Sequence, residues 1–182
     1  QNELHIWNAV KLGEEWYYTD VTWDDREESY ARYIYFNINE DTLLTDHRYA
    51  PLFSEMTDDE INGVTGEYNA SVMNIFVPSC KDGSQGYYQT RSPRLVDFDA
   101  AEVKSGLLYT AQEQEQYFVF YIDDTLDFEE TVASLFTAYP QYFFTYIGDV
   151  NEYLSDYSID KSNISYYTLE RGRIVAVELK YY

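Results

Sequence analysis

The residues best suited to chemistry are an imidazole and a carboxylate near the start of the chain, His5 and Asp20. A carboxylate that accepts a hydrogen bond from one ring nitrogen fixes the tautomer of a histidine. The other nitrogen can then take a proton from a nucleophile. This stretch supplies no nucleophile for such a base, so one would have to come from elsewhere in the protein.

The elements that must position this pair are two short strands within residues 1–25. Two runs rich in valine, tyrosine, tryptophan and threonine flank a polar break, which predicts a β-hairpin with Gly13 and Glu14 at its tip. In this register Val10 faces Tyr17. Because side chains alternate across a strand, one face is expected to be apolar and core-like. That face carries Ile6, Asn8, Val10, Leu12, Tyr17, Thr19 and Val21.

The same register makes His5 and Asp20 diagonal neighbours on the opposite face, with Trp7 facing Asp20. Diagonal partners lie about 7–8 Å apart at the backbone, which permits an imidazole–carboxylate hydrogen bond. The register leaves a second interpretation open, in which the two side chains meet incidentally at a sheet edge.

Several segments of the first 50 residues, read in order, resemble the strands that carry the histidine and the aspartate of the transglutaminase-like superfamily. They are HIWNAV at 5–10, WY at 16–17, DVTWDD at 20–25, YFNIN at 35–39 and DHR at 46–48. The superfamily is similar to papain-like thiol enzymes and uses a cysteine, a histidine and an aspartate, in that chain order.

The resemblance implies an α+β fold with an antiparallel papain-like sheet, and thiol-dependent acyl transfer or peptide hydrolysis at a carbonyl. It implies that His5 is the general base and Asp20 its orienting partner, with Trp7, Asn8 and Trp23 supporting them. A protein or peptide substrate, or a cell-envelope component, is then expected, with no cofactor and no metal.

The nucleophile departs from the family pattern, because the single cysteine of the chain, Cys80, follows the histidine. It lies in VPSCKDG at 77–83, a pattern typical of a loop rather than a helix start. Only Lys81 is adjacent to lower its thiol pKa, so Cys80 is the disfavoured candidate. We therefore expect the nucleophile upstream of this sequence and the Cys-bearing helix to be missing from it, so that the 182-residue chain is inactive alone.

The amino-acid composition of the chain limits the kinds of molecule that the protein is expected to bind. Thirty-three acidic residues against twelve basic ones give a formal net charge of −21, which disfavours nucleic-acid binding. No stretch is long and apolar enough to predict a membrane span, and no Cys/His cluster has zinc spacing.

The chain has 21 tyrosines, 10 phenylalanines and 3 tryptophans. These rings either cover strands, which we favour, or form a carbohydrate- or peptide-binding face. An extracellular or cell-surface location is expected rather than the cytoplasm.

The chain is predicted to divide into the C-terminal part of a transglutaminase-like core at 1–60 and a small α+β lobe at 68–182, with the boundary within 50–68. In the first part we predict a third strand at 30–37 and a helical turn at 40–44. His47 is either a second neighbour of the site or, as we favour, a structural or surface histidine.

The second part is predicted from its local patterns. It holds a strand at 71–77, a turn-rich stretch at 82–93, a short helix at 97–103 and a buried strand at 116–122. Asp123 and Asp124 are expected to cap a helix whose apolar face runs from Phe128 to Tyr139. We also predict a strand at 142–147 that is parallel to the buried strand, and a short helix at 149–154. The chain then ends in a hairpin of 164–169 with 173–179.

Two hypotheses about function remain open from the sequence. One is a transglutaminase-like acyltransferase or peptidase whose thiol lies outside this chain, so that its status as an enzyme is undecided. The other is a non-catalytic binding or structural protein of the same fold, which uses the aromatic C-terminal lobe for cell-surface or protein interaction.

Overall fold

The computed structural model of the chain describes residues 5–47 and 78–182, and these form an α+β fold with six α-helices and two β-sheets. The predicted boundary at 50–68 and the predicted strand at 71–77 lie outside the described residues, as does Arg48. Within the described ranges, no helix combines the length and the apolar character needed to cross a membrane.

The first sheet is the predicted hairpin. Strand β1 (Asn8–Leu12) pairs with β2 (Glu15–Thr19) in antiparallel register, with Leu12 opposite Glu15. Gly13 at the tip takes a φ of +63°, which a glycine adopts without the strain a side chain would add. The register is as predicted.

The predicted extent and apolar face of the hairpin are wrong. Strand β2 ends at Thr19, and Asp20 caps helix α1 (Val21–Asp24) instead of extending the strand. Three residues of the face expected to be core-like, Ile6, Leu12 and Val21, are exposed. The buried aromatic side chains of β2 are Tyr17 and Tyr18, which point to opposite faces.

The predicted strand at 30–37 is also wrong. A 3₁₀-helix (Ser29–Ala31) is followed by turns in which Tyr33 and Asn37 take φ values of +69° and +55°. Left-handed residues cannot continue an extended strand, so in the described part of the chain the pairing with the hairpin is limited to an isolated bridge between Tyr18 and Ile38 and to hydrogen bonds such as those between Thr19 and Asn37. The helical turn predicted at 40–44 is confirmed as α2 (Glu40–Leu43).

The second sheet has four strands in the order β3-β4-β6-β5. They are β3 (Arg94–Leu95), β4 (Tyr117–Ile122), β5 (Ser165–Leu169) and β6 (Ile174–Glu178). The buried strand and the C-terminal hairpin are confirmed, with β5 and β4 both antiparallel to β6. The hairpin turn is a 3₁₀-helix (Glu170–Gly172), and Arg173, which follows it, takes the left-handed conformation.

The predicted strand at 142–147 is a helix. Helix α6 (Tyr142–Asn151) buries Phe143, Tyr146, Ile147 and Val150, which recur at helical spacing along one face. The predicted parallel pairing of this segment with β4 is therefore wrong, and the parallel neighbour of β4 is β3. The short helix predicted at 149–154 is instead the end of α6 and the residues that follow it.

Three further predictions need correction. The turn-rich stretch at 82–93 contains helix α3 (Tyr87–Arg91), and the helix predicted at 97–103 is α4 (Ala101–Gln112), which continues through Gly106. A Cβ on Gly106 would lie 2.3 Å from Pro93, so the close approach of the chain requires glycine. Helix α5 (Phe128–Phe136) is capped by Asp127 rather than by the predicted Asp123 and Asp124.

Two apolar clusters hold these elements together. The larger one packs α4, α5 and α6 against the four-stranded sheet. The smaller one gathers Tyr18, Ile34, Tyr35, Leu43 and Cys80 with Ile174 of β6. Because β6 alternates its side chains between the two clusters, the N-terminal hairpin region packs onto the opposite side of this sheet. The turn between β5 and β6 thereby reaches the N-terminal segment.

Candidate functional site

Asp20 is the central residue of the site. It follows β2, and its Oδ1 accepts hydrogen bonds from the backbone amides of Thr22 and Trp23, both at 3.1 Å, which caps α1. The residue is only 1% exposed. Because Oδ1 is engaged by the helix, Oδ2 is the oxygen that faces the other side chains of the site.

His5 meets that oxygen directly. Its Nε2 lies 2.5 Å from Asp20 Oδ2, and its side chain is 24% exposed. The structure thus brings the two predicted residues together. Their placement differs from the prediction, because His5 precedes β1 and Asp20 follows β2, so they are not diagonal partners within the sheet.

His47 is a second imidazole on the same oxygen. Its Nε2 lies 2.9 Å from Asp20 Oδ2, and its Nδ1 lies 2.6 Å from Asp46 Oδ1, with the side chain only 2% exposed. Both ring nitrogens of His47 therefore lie within hydrogen-bond distance of a carboxylate oxygen. His47 is therefore a buried neighbour of the site and not a surface histidine.

Asp46 is itself held from two directions. The Tyr35 hydroxyl donates to its Oδ2 at 2.6 Å, and the Arg171 guanidinium pairs with the same oxygen at 2.5 Å. The guanidinium also donates to the Tyr35 hydroxyl and lies 5.2 Å from the centre of its ring. Arg171 belongs to the turn between β5 and β6, so the C-terminal sheet supports the site.

These contacts determine which acids are ionised. Burial opposes ionisation of Asp20, but the hydrogen bonds from His47, the Trp23 amide and His5 outweigh it and lower its pKa. The pKa of Asp46 is also lowered, because Tyr35, His47 and Arg171 outweigh its burial. The site therefore contains two carboxylates and two imidazoles, with the arginine at its edge.

A third acid, Asp24, behaves differently. It is buried at the end of α1, and its Oδ1 accepts from the Tyr35 amide at 2.7 Å. Burial, assisted by the charge of Asp20, raises the pKa of Asp24 to about 6, although the Tyr35 hydrogen bond acts in the opposite direction.

Tryptophan rings enclose the histidines. The ring centre of Trp23 lies 4.4 Å from that of His47 and 5.9 Å from that of His5. Trp7 meets His47 edge-on at 5.2 Å. Of the three predicted supporting residues, these two contact the site. Asn8 is exposed at the first position of β1, and no hydrogen bond joins it to the cluster within the described residues.

The Cys80 thiol lies in different surroundings. It is 0% exposed in the smaller apolar cluster, where its Sγ donates to Pro78 O at 3.7 Å. Burial raises its pKa, which is the opposite of what a reactive thiolate needs. In the part of the chain that the structure describes, no hydrogen bond connects Cys80 to either histidine.

This arrangement can support two kinds of chemistry. With Nε2 engaged by Asp20, His5 retains Nδ1 as the ring nitrogen that could exchange a proton with a nucleophile. Alternatively, His5, His47 and Asp20 each offer one ligand atom, these three atoms lie within 4.8 Å of one another, and they could hold a metal ion. Sequence reasoning missed Asp46, Tyr35 and Arg171 as members of the site.

No family model matches the chain, and no curated protein matches it either.

Proposed function

We propose that this chain carries the imidazole and the carboxylate of a thiol-dependent acyl-transfer or peptide-hydrolysing site, of the kind used by the transglutaminase-like superfamily. The observation that supports the proposal is the 2.5 Å contact between His5 Nε2 and Asp20 Oδ2, on a carboxylate whose other oxygen is fixed by a helix N-terminus. The sequence resemblance, which covers the same residues, is the second support.

In the proposed reaction, Asp20 accepts the Nε2 hydrogen of His5 and thereby keeps Nδ1 unprotonated. His5 Nδ1 takes the proton of a thiol, and the thiolate attacks a carbonyl carbon. The proton then passes to the departing amine. A second amine or a water molecule then gives a proton to His5 Nδ1 and attacks the thioester, so that the acyl group leaves on it, and the proton returns to the released thiolate. Trp7 and Trp23 shield the imidazoles from bulk water on this proposal.

The thiol is proposed to come from a polypeptide segment outside this sequence. Cys80 does not suit the role, because it is completely buried, its pKa is raised, and it packs against apolar side chains. The isolated 182-residue chain is accordingly expected to show no transglutaminase or peptidase turnover.

The test uses the protein as its gene encodes it, compared with the 182-residue chain. Amine incorporation into a glutamine peptide and release of ammonia are measured for both proteins. In the gene-encoded protein, His5→Gln and Asp20→Asn are expected to lower kcat/KM by roughly 10²- to 10⁴-fold. Asp20→Asn keeps an oxygen for the helix cap, and Asp156→Asn, at an exposed aspartate, is the matched control.

Turnover by the 182-residue chain alone would contradict the proposed source of the thiol. Full activity of the His5→Gln protein would contradict the proposed role of the imidazole. A gene-encoded protein that neither incorporates the amine nor releases ammonia would favour the second candidate function.

The second candidate is a binding or structural protein that interacts with a protein or a cell-envelope component through aromatic side chains. The observation in its favour is that β5 lies at the edge of its sheet and exposes Tyr166 and Tyr167. Tyr166→Ser with Tyr167→Ser is then expected to abolish retention on cell-envelope preparations, while His5→Gln leaves that retention unchanged.

A further inference from the structure

Both histidines of the chain point to a single carboxylate oxygen. The sequence contains only two histidines, and the Nε2 atoms of both lie within hydrogen-bond distance of Asp20 Oδ2. A general-base dyad needs one imidazole on its aspartate. The second, buried imidazole is therefore not explained by the proposed acyl transfer.

We propose that His5, Asp20 and His47 form a binding site for a divalent transition-metal ion of the zinc class. Two imidazole nitrogens and one carboxylate oxygen are a ligand set that zinc uses in three-ligand sites, where a water molecule takes the fourth position. His5 is part-exposed, which leaves a side of the cluster open for that water. This inference does not depend on the proposed acyl transfer.

The residues behind His47 support the proposal independently. A histidine that binds a metal through one ring nitrogen usually donates the hydrogen of the other to a carboxylate, which fixes the ring. His47 Nδ1 makes that contact with Asp46, and Tyr35 and Arg171 hold Asp46 in turn. The Nε2 atom of a buried histidine is thereby aimed at Asp20.

Only a small movement would admit the ion. Around a tetrahedral zinc with bonds of about 2.0–2.2 Å, neighbouring ligand atoms lie roughly 3.3 Å apart. The two nitrogens now lie 2.5 and 2.9 Å from Asp20 Oδ2, so each must retreat by less than about 1 Å. Each imidazole binds the metal through an unprotonated Nε2, so any hydrogen on that atom is released to solvent, while His47 Nδ1 keeps its hydrogen on Asp46.

Charge and ligand type select the ion. A net charge of −21 concentrates cations around the protein. Calcium and magnesium prefer all-oxygen sites, whereas imidazole suits zinc, copper, iron and nickel. Zinc and its spectroscopic substitute cobalt(II) are therefore the probes of choice.

The experiment measures zinc binding to the 182-residue chain by calorimetry, in buffer with excess magnesium to occupy non-specific acidic sites. One Zn²⁺ per chain is expected, and cobalt(II) is expected to show the visible absorption of a four-coordinate ion without thiolate charge transfer. Asp46→Asn is expected to weaken zinc binding roughly 10- to 100-fold, and His5→Gln by more. Asp156→Asn and Cys80→Ala are expected to leave binding unchanged.

Three outcomes would overturn the proposal. The first is that the chain binds no zinc in excess magnesium. The second is that His5→Gln leaves zinc binding unchanged, and the third is that the cobalt spectrum shows thiolate charge transfer. His5→Gln is the deciding variant because His5 is the part-exposed ligand, and a circular dichroism spectrum equal to that of the wild type shows that its fold is intact. Loss of acyl transfer in any variant has no bearing on these outcomes, so the two proposals fail separately.

Discussion

Replacing Asp24 by asparagine is expected to stabilise the protein above pH 6 and to change its stability little below pH 4. The carboxyl group is buried, and its pKa in the folded protein is raised to about 6 from an ordinary value of 3.8. Between these two pH values the folded state binds more protons than the unfolded state, so the free energy of unfolding falls as the pH rises.

The magnitude follows from the same two values. A difference of about 2 pKa units, at 1.36 kcal/mol per unit, corresponds to about 3 kcal/mol of stability lost once the pH exceeds 6. Asparagine keeps an oxygen to accept from the Tyr35 amide and carries no charge, so it avoids this loss. For a protein of this size, about 3 kcal/mol corresponds to a rise in Tm of roughly 6–12 °C.

The assay is urea unfolding of the wild type and the variant at pH values from 4 to 8, with circular dichroism as the signal that monitors unfolding. Asp25→Asn is the matched control, because it removes the same charge one residue further on at an exposed position. The difference between Asp24→Asn and wild type is expected to grow between pH 4 and pH 6 and then to stay constant. A difference that is independent of pH, or no larger than that of Asp25→Asn at pH 7, would refute the reasoning.

Three further predictions concern the surroundings of the site and the core. Iodoacetamide is expected to label Cys80 slowly near neutral pH and rapidly in urea, because the thiol is buried; rapid labelling of the native protein would contradict this. Arg171→Gln is expected to cost about 1–2 kcal/mol in urea unfolding, since Asp46 loses its cation, whereas Lys161→Gln at an exposed position costs almost nothing. Phe143→Ala is expected to cost about 3–5 kcal/mol by the same method, and a cost below 1 kcal/mol would show that this ring is not packed in the core.

The local sequence pattern predicted secondary structure correctly where it was compatible with one type of element only. The two hairpins were predicted because a polar turn between strand-forming runs constrains both partners, and β4 was predicted from its run of strand-forming residues. The aromatic run at 142–147 was assigned to a strand because six residues do not separate a buried strand from a buried helix. The continuation to Val150 contains the helical spacing, and the burial of that face against the sheet decides the outcome.

The alternation at 30–37 failed for a different reason. Two residues in this segment, Tyr33 and Asn37, take left-handed backbone conformations, which no pattern of apolar residues reveals. The Tyr35 amide then donates to Asp24 instead of to a neighbouring strand. Tertiary contacts with α1 therefore override the local preference of this segment for an extended strand.

The sequence could predict only the part of the candidate site whose residues lie close together in the chain. His5 and Asp20 flank one hairpin, so its register alone suggested that they would lie close together. His47 lies 27 residues beyond Asp20, and Arg171 lies 136 residues beyond Tyr35. Contacts over such separations depend on how the C-terminal sheet packs against the hairpin region. The adjacency of Asp46 and His47 was the one local signal available for this part of the site.

The two proposals make opposite demands on His5 Nε2. Acyl transfer requires this nitrogen to keep its hydrogen on Asp20, so that Nδ1 accepts the thiol proton. Metal binding requires the same nitrogen to lose its hydrogen and coordinate the ion, which leaves the hydrogen on Nδ1. One imidazole cannot satisfy both demands at once. Zinc is therefore expected to inhibit the gene-encoded protein if both proposals hold, and His47→Gln is expected to relieve that inhibition while His5 and Asp20 remain paired.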